Sequence, residues 1–347
     1  MDASARFGYA QPYVNSFRRG MARIPNNTNV FRIPRRFNWP LVIGGFAVLA
    51  LGMMLGRWGA SLDDSSAYLD MARWLRGELA LPELQTPFSY RLGLPALAAL
   101  VPGELHHVFA TLNWLFVTAT ALLATATVRR LGFGTQRALA AGLLVILSLP
   151  TVWYAPGVLV DPASICMRML FVFGVLTGRP GLALAAALAG TAVREEDILL
   201  LAWLASSGQV SRGRIGAALG AALVWIAALH GWLAPGDGEP AWAPDTANLA
   251  ALLADWRGLL SLGACAGFVL PLALAGLRDA PERLQPLRGL LVLMVLPALY
   301  AALCAQADGR VVWDLYPFLL PFAVALGMPR EAGQVPEVRQ LRIARRA

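Results

Sequence analysis

Carboxylates and arginines at four places in this chain have the types and spacing for chemistry. Asp63-Asp64 stands just beyond the first apolar run. A carboxylate pair at a membrane surface can bind a divalent cation, or one member can take a proton from an attacking hydroxyl. The plainer role is helix capping, by Asp64 or by Ser65 after it. Asp161-Pro162 stands at the outer end of a later apolar run, and Asp before Pro is also an ordinary helix start. Arg194-Glu195-Glu196-Asp197 separates two apolar runs, where four ionisable residues are costly unless they meet water, a ligand or one another. An arginine there can grip a phosphate or pair with a neighbouring acid. Pro87-Phe88-Ser89-Tyr90-Arg91, leading into Leu94-Pro95, puts Arg91 where the chain re-enters the membrane. Arg91 can snorkel to lipid headgroups or hold an anionic substrate.

Three further features carry less. His106 and His107 are adjacent and cannot share a helix face, which argues against metal ligation by the pair. Asp308-Gly309-Arg310 with Asp314-Leu315-Tyr316-Pro317 lies at the last outer turn, where it closes a cavity or caps a helix. Cys166, Cys265 and Cys304 lie inside apolar segments without metal-ligand spacing and read as small hydrophobes.

The elements that position these residues are membrane segments. At 57% hydrophobic and 14% charged, the chain is too apolar for an ordinary soluble domain. The pattern predicts an all-α, polytopic transmembrane bundle of about ten spans, near 39–58, 92–128, 138–155, 164–178, 180–193, 197–208, 213–233, 257–277, 289–306 and 311–328. The 92–128 stretch is too long for one straight span, and Pro95 and Pro102 are expected to break its outer part. In the first outer loop, Asp64 to Gly77 reads as an interfacial helix with Tyr68, Met71, Leu75 and Leu79 on one face. The runs 180–193 and 197–208 are each shorter than a bilayer crossing, and together predict a hairpin whose charged tip meets a water-filled cavity. A polar tail at 1–38 and a basic tail at 329–347 flank the membrane domain, 39–328.

Charge sets the expected orientation. The chain has 29 arginines and no lysine; 21 of these arginines fall in alternate loops and the tails, while 16 of the 21 acidic residues fall at the opposite face. Basic residues resist translocation, so both termini are expected in the cytoplasm and the acidic face outside. The net charge of +8 does not signal nucleic acid, because the arginines flank apolar runs and suit an anionic leaflet. Abundant Ala, Gly and Arg without lysine point to a GC-rich bacterial genome.

The order of these features matters more than any one of them. A first outer loop with Asp63-Asp64 and an interfacial helix is followed by the Phe88 to Arg91 segment, then Asp161-Pro162, then a short hairpin with a basic-acidic tip. This order resembles the integral-membrane GT-C glycosyltransferases over roughly residues 40–330, most closely from Asp63 to Asp197. The resemblance implies a polyprenyl-phosphate-linked sugar donor and an acceptor hydroxyl at the extracytoplasmic face of a bacterial inner membrane. It implies Asp63 or Asp64 as catalytic base, with Asp161, Arg194 and Glu195 matching the second outer loop and the hairpin tip. The expected substrate-binding set is Tyr68, Tyr90, Arg91, Asp161, Arg194, Glu195, Arg310 and Tyr316, in which Arg91 and Arg194 balance the leaving phosphate. A divalent cation is compatible with the pattern but not required by it.

The chain departs from the family pattern: no large soluble C-terminal domain is expected, there is no lysine to bind phosphate, and the arginine-rich N-terminal tail suits a protein partner or anionic lipid. Two other classes share its features. A transporter or flippase also places ionisable residues in a membrane cavity, but paired broken helices in related halves are not seen. A non-catalytic subunit of a larger membrane complex would use the tail. Convergence of Asp63 or Asp64, Asp161 and an arginine on one outward site is what the enzyme requires.

Overall fold

The computed structural model describes residues 37–81, 84, 88–233, 244–304 and 308–327. The readings of the tails at 1–36 and 329–347, and of Pro87, lie outside the described residues. Among the described residues all regular structure is helical.

The centre of the fold is α4 (Leu105–Arg130), against which α1 (Trp39–Met54), α5 (Thr135–Ile146) and α7 (Asp161–Leu176) pack. Two side chains of α4 tie this centre together. Trp114 donates from Nε1 to the Ala47 carbonyl of α1 at 2.8 Å. Buried Asn113 donates to the carbonyls of Gly157 at 2.8 Å and Leu159 at 3.1 Å, which holds the loop leading into Asp161.

Among the described residues, four helical stretches are long and apolar enough to cross a membrane: Trp39–Arg57, Leu105–Arg130, Arg212–Leu233 and Glu282–Cys304. By this criterion the chain is a helical membrane protein. The second of these is 56% buried over its apolar window, while the others are 17–22% buried, so most of their apolar surface faces outward as lipid contact requires. Arg212–Leu233 is α10. A fifth crossing can be counted if α11 (Thr246–Ala254) and α12 (Trp256–Ala266), which meet at 82°, form one broken span.

The other predicted segments are built from shorter helices. The 138–155 segment divides into α5 and α6 (Leu149–Trp153), with Pro150 in the first turn of the latter. The 257–277 segment divides into α12 and α13 (Val269–Gly276) at Gly267, whose φ of 46° ends the first helix. The last segment divides into α15 (Arg310–Trp313) and α16 (Tyr316–Ala323), after α14 (Gln285–Cys304). The 92–128 stretch breaks between α3 (Gly93–Leu100) and α4, beside Pro102. Pro95 breaks nothing, because it stands in the first turn of α3, where a missing N–H has no partner to lose.

The hairpin is present as α8 (Pro180–Val193), a 3₁₀ turn at Glu195–Asp197, and α9 (Ile198–Ser207). The loop after α1 carries α2 (Ser65–Leu75), with Tyr68 and Met71 buried. This helix ends before Leu79, at Gly77, whose φ is 75°. Met71 packs with Leu229 and Leu233 of α10. Arg76 then turns its guanidinium onto the carbonyls at the end of α3, the shortest contact being 2.7 Å to Val101.

Loops that the charge pattern assigns to one side meet one another. On one side Gly59 donates to the Pro156 carbonyl at 3.0 Å and Val158 to that of Ala60 at 3.1 Å. On the other, Gly327 donates its N–H to Asp279 at 2.9 Å, and the Arg283 guanidinium lies 5.8 Å from the centre of the Phe133 ring.

Candidate functional site

Asp64 is the residue before α2, but its side chain makes no cap. Ser65 does the local work instead, accepting from the Leu62 N–H at 2.8 Å and donating to the Val158 carbonyl at 3.0 Å. Asp64 is thereby left to reach across the fold, where Oδ2 accepts from Arg310 at 2.6 Å. Arg310 also pairs with Asp308 at 2.9 Å. Burial pushes the Asp308 carboxyl above its ordinary value, even against the adjoining Arg310 guanidinium.

One turn into α2, the buried Tyr68 hydroxyl accepts from Arg91 at 2.9 Å. Arg91 follows the 3₁₀ turn Phe88–Tyr90, whose Phe88 ring meets Tyr68 edge-on at 6.0 Å. Among the described residues no carboxylate lies within ion-pair distance of Arg91. The charges of Arg91, Asp161, Asp64 and Arg194 all act on the Tyr68 phenol, and those of Asp161, Asp308 and Asp64 on Arg310. Asp64, Tyr68, Arg91, Asp161, Arg194 and Arg310 therefore converge on one place.

Behind them lies an ion-pair network. Arg194, the C-cap of α8, pairs with Asp161 at 3.2 Å, with Glu196 at 2.9 Å, and with Asp314. Arg168, in the middle of α7 and 2% exposed, pairs with Asp197 at 2.6 Å, Glu196 at 3.2 Å and Asp314 at 3.5 Å. The hairpin can close this tightly because of Gly190, where any Cβ would run into the Asp197 carboxylate. The network joins α7, the hairpin tip and the turn after α15, and it leaves each buried guanidinium with counter-charges.

The remaining sequence candidates fall elsewhere. Asp63 is exposed and does not share the Asp64–Arg310 contact. Among the described residues no three His, Cys, Asp or Glu side chains are grouped so as to hold a metal ion. Tyr90 and Glu195 meet beside the cluster through His230. The Tyr90 ring stacks on His230 with centroids 3.8 Å apart, and His230 Nε2 lies 3.1 Å from Glu195 Oε1. Tyr316 is buried and its hydroxyl donates to the Cys265 carbonyl at 2.7 Å. His106 and His107 serve the start of α4, where the Glu104 carboxylate accepts both of their backbone N–H groups at 3.0 Å. Slight burial works against ionisation there, but these bonds and the His106 ring hold the Glu104 carboxyl down at about 2.

Sequence reasoning passes over Arg168 and His230 and leaves Glu196, Asp197, Asp308 and Asp314 off the candidate list. Arg168 had a usable signal, since an arginine inside an apolar run must find partners. His230 had none, because its stacking depends on a residue 140 positions away in sequence. No family model matches the chain, and no curated protein matches it in sequence.

Proposed function

We propose that this protein is a GT-C-like membrane glycosyltransferase with about ten crossings, moving a sugar from a polyprenyl-phosphate donor to an acceptor hydroxyl at the extracytoplasmic face of a bacterial inner membrane. One observation carries the reading: Asp64, Asp161 and Arg194, from the first outer loop, the second outer loop and the hairpin tip, converge with Arg91 and Arg310. The Arg91 guanidinium has only the neutral Tyr68 hydroxyl as hydrogen-bond partner among the described residues, so its charge is available to the donor phosphate. Arg194 is near enough for its charge to act on Arg91, and two neighbouring guanidinium groups favour an anion beside them. As the bond between the anomeric carbon and the phosphate oxygen breaks, negative charge grows on the phosphate and these cations offset it.

In this scheme Asp64 takes the acceptor proton as the hydroxyl oxygen attacks the anomeric carbon. Its Oδ2 is held by Arg310, which keeps the carboxylate oriented, and Oδ1 is left for the acceptor. Asp63 is the alternative base within the same loop. Purified protein with a polyprenyl-phosphate-linked sugar tests the scheme. Asp64→Asn is expected to lower the transfer rate on the order of 100-fold while donor binding survives, because the base acts on the acceptor. Full activity in the Asp63→Asn, Asp64→Asn double variant overturns it.

A second reading has one observation in its favour. Arg168, Arg194 and Arg310 are all engaged by carboxylates of the chain itself, as a purely structural clasp would be. A non-catalytic subunit of a membrane complex, docking through residues 1–38, fits that arrangement. It is favoured if the purified protein neither binds the donor nor turns it over.

A further inference from the structure

The end of the bundle where Arg283 meets Phe133 carries an arrangement that the proposed reaction does not use. Between the end of α13 and the first turns of α14 lies a groove of about 580 Å³, lined by Leu277, Arg278, Arg288, Leu291 and Val292. Its two cations are disposed differently. Arg288 is fixed, because its Nη2 donates to the Leu277 carbonyl at the C-cap of α13 at 2.9 Å. Arg278 is exposed and makes no ion pair or hydrogen bond with any described residue. Neither acid of this turn forms an ion pair with it. Asp279 is occupied by the Gly327 N–H, and Glu282 is exposed at the start of the following 3₁₀ turn.

The groove opens onto an apolar strip. Val292 is 70% exposed, and Leu296 and Leu299, on the same face of α14, are 53% and 52% exposed. Spacings of four and then three residues keep them on one side of the helix for about 10 Å. α14 belongs to one of the stretches long and apolar enough to cross a membrane, so this strip faces acyl chains.

We propose that this groove binds an anionic phospholipid, with its headgroup phosphate between Arg278 and Arg288 and an acyl chain along Val292, Leu296 and Leu299. Free phosphate would use the arginines but leave the strip unused. A zwitterionic phospholipid brings its own cation, which competes with the arginines for the phosphate.

Native mass spectrometry of the detergent-solubilised full chain, titrated with dioleoyl phosphatidylglycerol or dioleoyl phosphatidylcholine, tests this. Phosphatidylglycerol is expected to bind more tightly. Arg278→Ala should weaken it about fivefold, the effect of one basic residue at an anionic lipid surface, and leave phosphatidylcholine unchanged. The Arg278→Ala, Arg288→Ala double variant should lose the preference. An Arg212→Ala, Arg214→Ala control, at the start of α10, should keep it. Equal affinity of the wild type for both lipids overturns the proposal. So does an equal loss in the control, or displacement of phosphatidylglycerol by inorganic phosphate. Arg278 has no partner within the described fold, so Arg278→Ala decides the matter even if removal of Arg288 unsettles α13.

Discussion

Arg91 and Arg194 lie close together but differ in what they have left to offer a ligand. Arg194 already faces Asp161, Glu196 and Asp314, whereas Arg91 has a phenol hydroxyl. Removing Arg194 leaves buried Asp161 without an ion-pair partner among the described residues, while Glu196 and Asp314 keep Arg168, and loss of one partner from such a pair costs about 3–5 kcal/mol. Arg194→Ala is therefore expected to lower the melting temperature far more than Arg91→Ala does. Arg91→Ala is expected to weaken lipid-phosphate binding more, and Arg91→Lys should restore part of the affinity through charge without the two-pronged geometry. Thermal melts and donor-binding titrations on the three variants check both statements. Unchanged donor binding in Arg91→Ala would remove it from the phosphate site. At this scale the sequence is only partly legible. Asp64 reads as a helix cap from its neighbours, and only the approach of Arg310, 246 residues later, reveals what its side chain does.

The start of α4 shows an element organised by its own sequence. Glu104 receives the His106 and His107 N–H groups that an isolated helix end would leave without partners. Its carboxyl is held at about 2, against an ordinary 4.5. A carboxyl depressed by folding stabilises the fold above its unfolded value and loses that contribution as pH falls through the folded one. The gap in melting temperature between wild type and Glu104→Ala is thus expected to be constant at neutral pH and to close between about pH 4.5 and 2. A gap that persists unchanged to the acid end would show that the cap does not work through charge. The hairpin is an element of the other kind. Its two short helices follow from the apolar runs, but its closure depends on Gly190 lying under Asp197 and on Arg168 from a different helix.

For the whole molecule, charge sorting and tertiary contacts agree on which loops belong together. The Gly59–Ala60 and Pro156–Val158 segments pair at one end, and the Asp279 turn meets Gly327 at the other. The sign of each end rests on the arginine bias. In a background without Cys166, Cys265 and Cys304, a cysteine at residue 80 or 240 is expected to react with an impermeant reagent from outside, and one at residue 134 from the cytoplasm. Labelling of residue 240 from the cytoplasmic side would invert the map and put the Asp64–Arg310 cluster on the wrong face for an extracytoplasmic reaction.

The sequence by itself determined the helical membrane class, the helix in the loop after α1, the hairpin and the sorting of charges along the chain. Each depends on composition and on periodicity within a single segment, where helix geometry and the expense of charge in lipid act locally. It did not determine that 138–155, 257–277 and 311–328 would each divide into two helices, or which acid each arginine takes. Those outcomes depend on contacts between segments far apart in the chain, such as Arg168 with Asp197 and Asp314, or Arg310 with Asp64. A buried guanidinium must find counter-charge wherever packing places it, and packing is a property of the assembled bundle, not of any one helix.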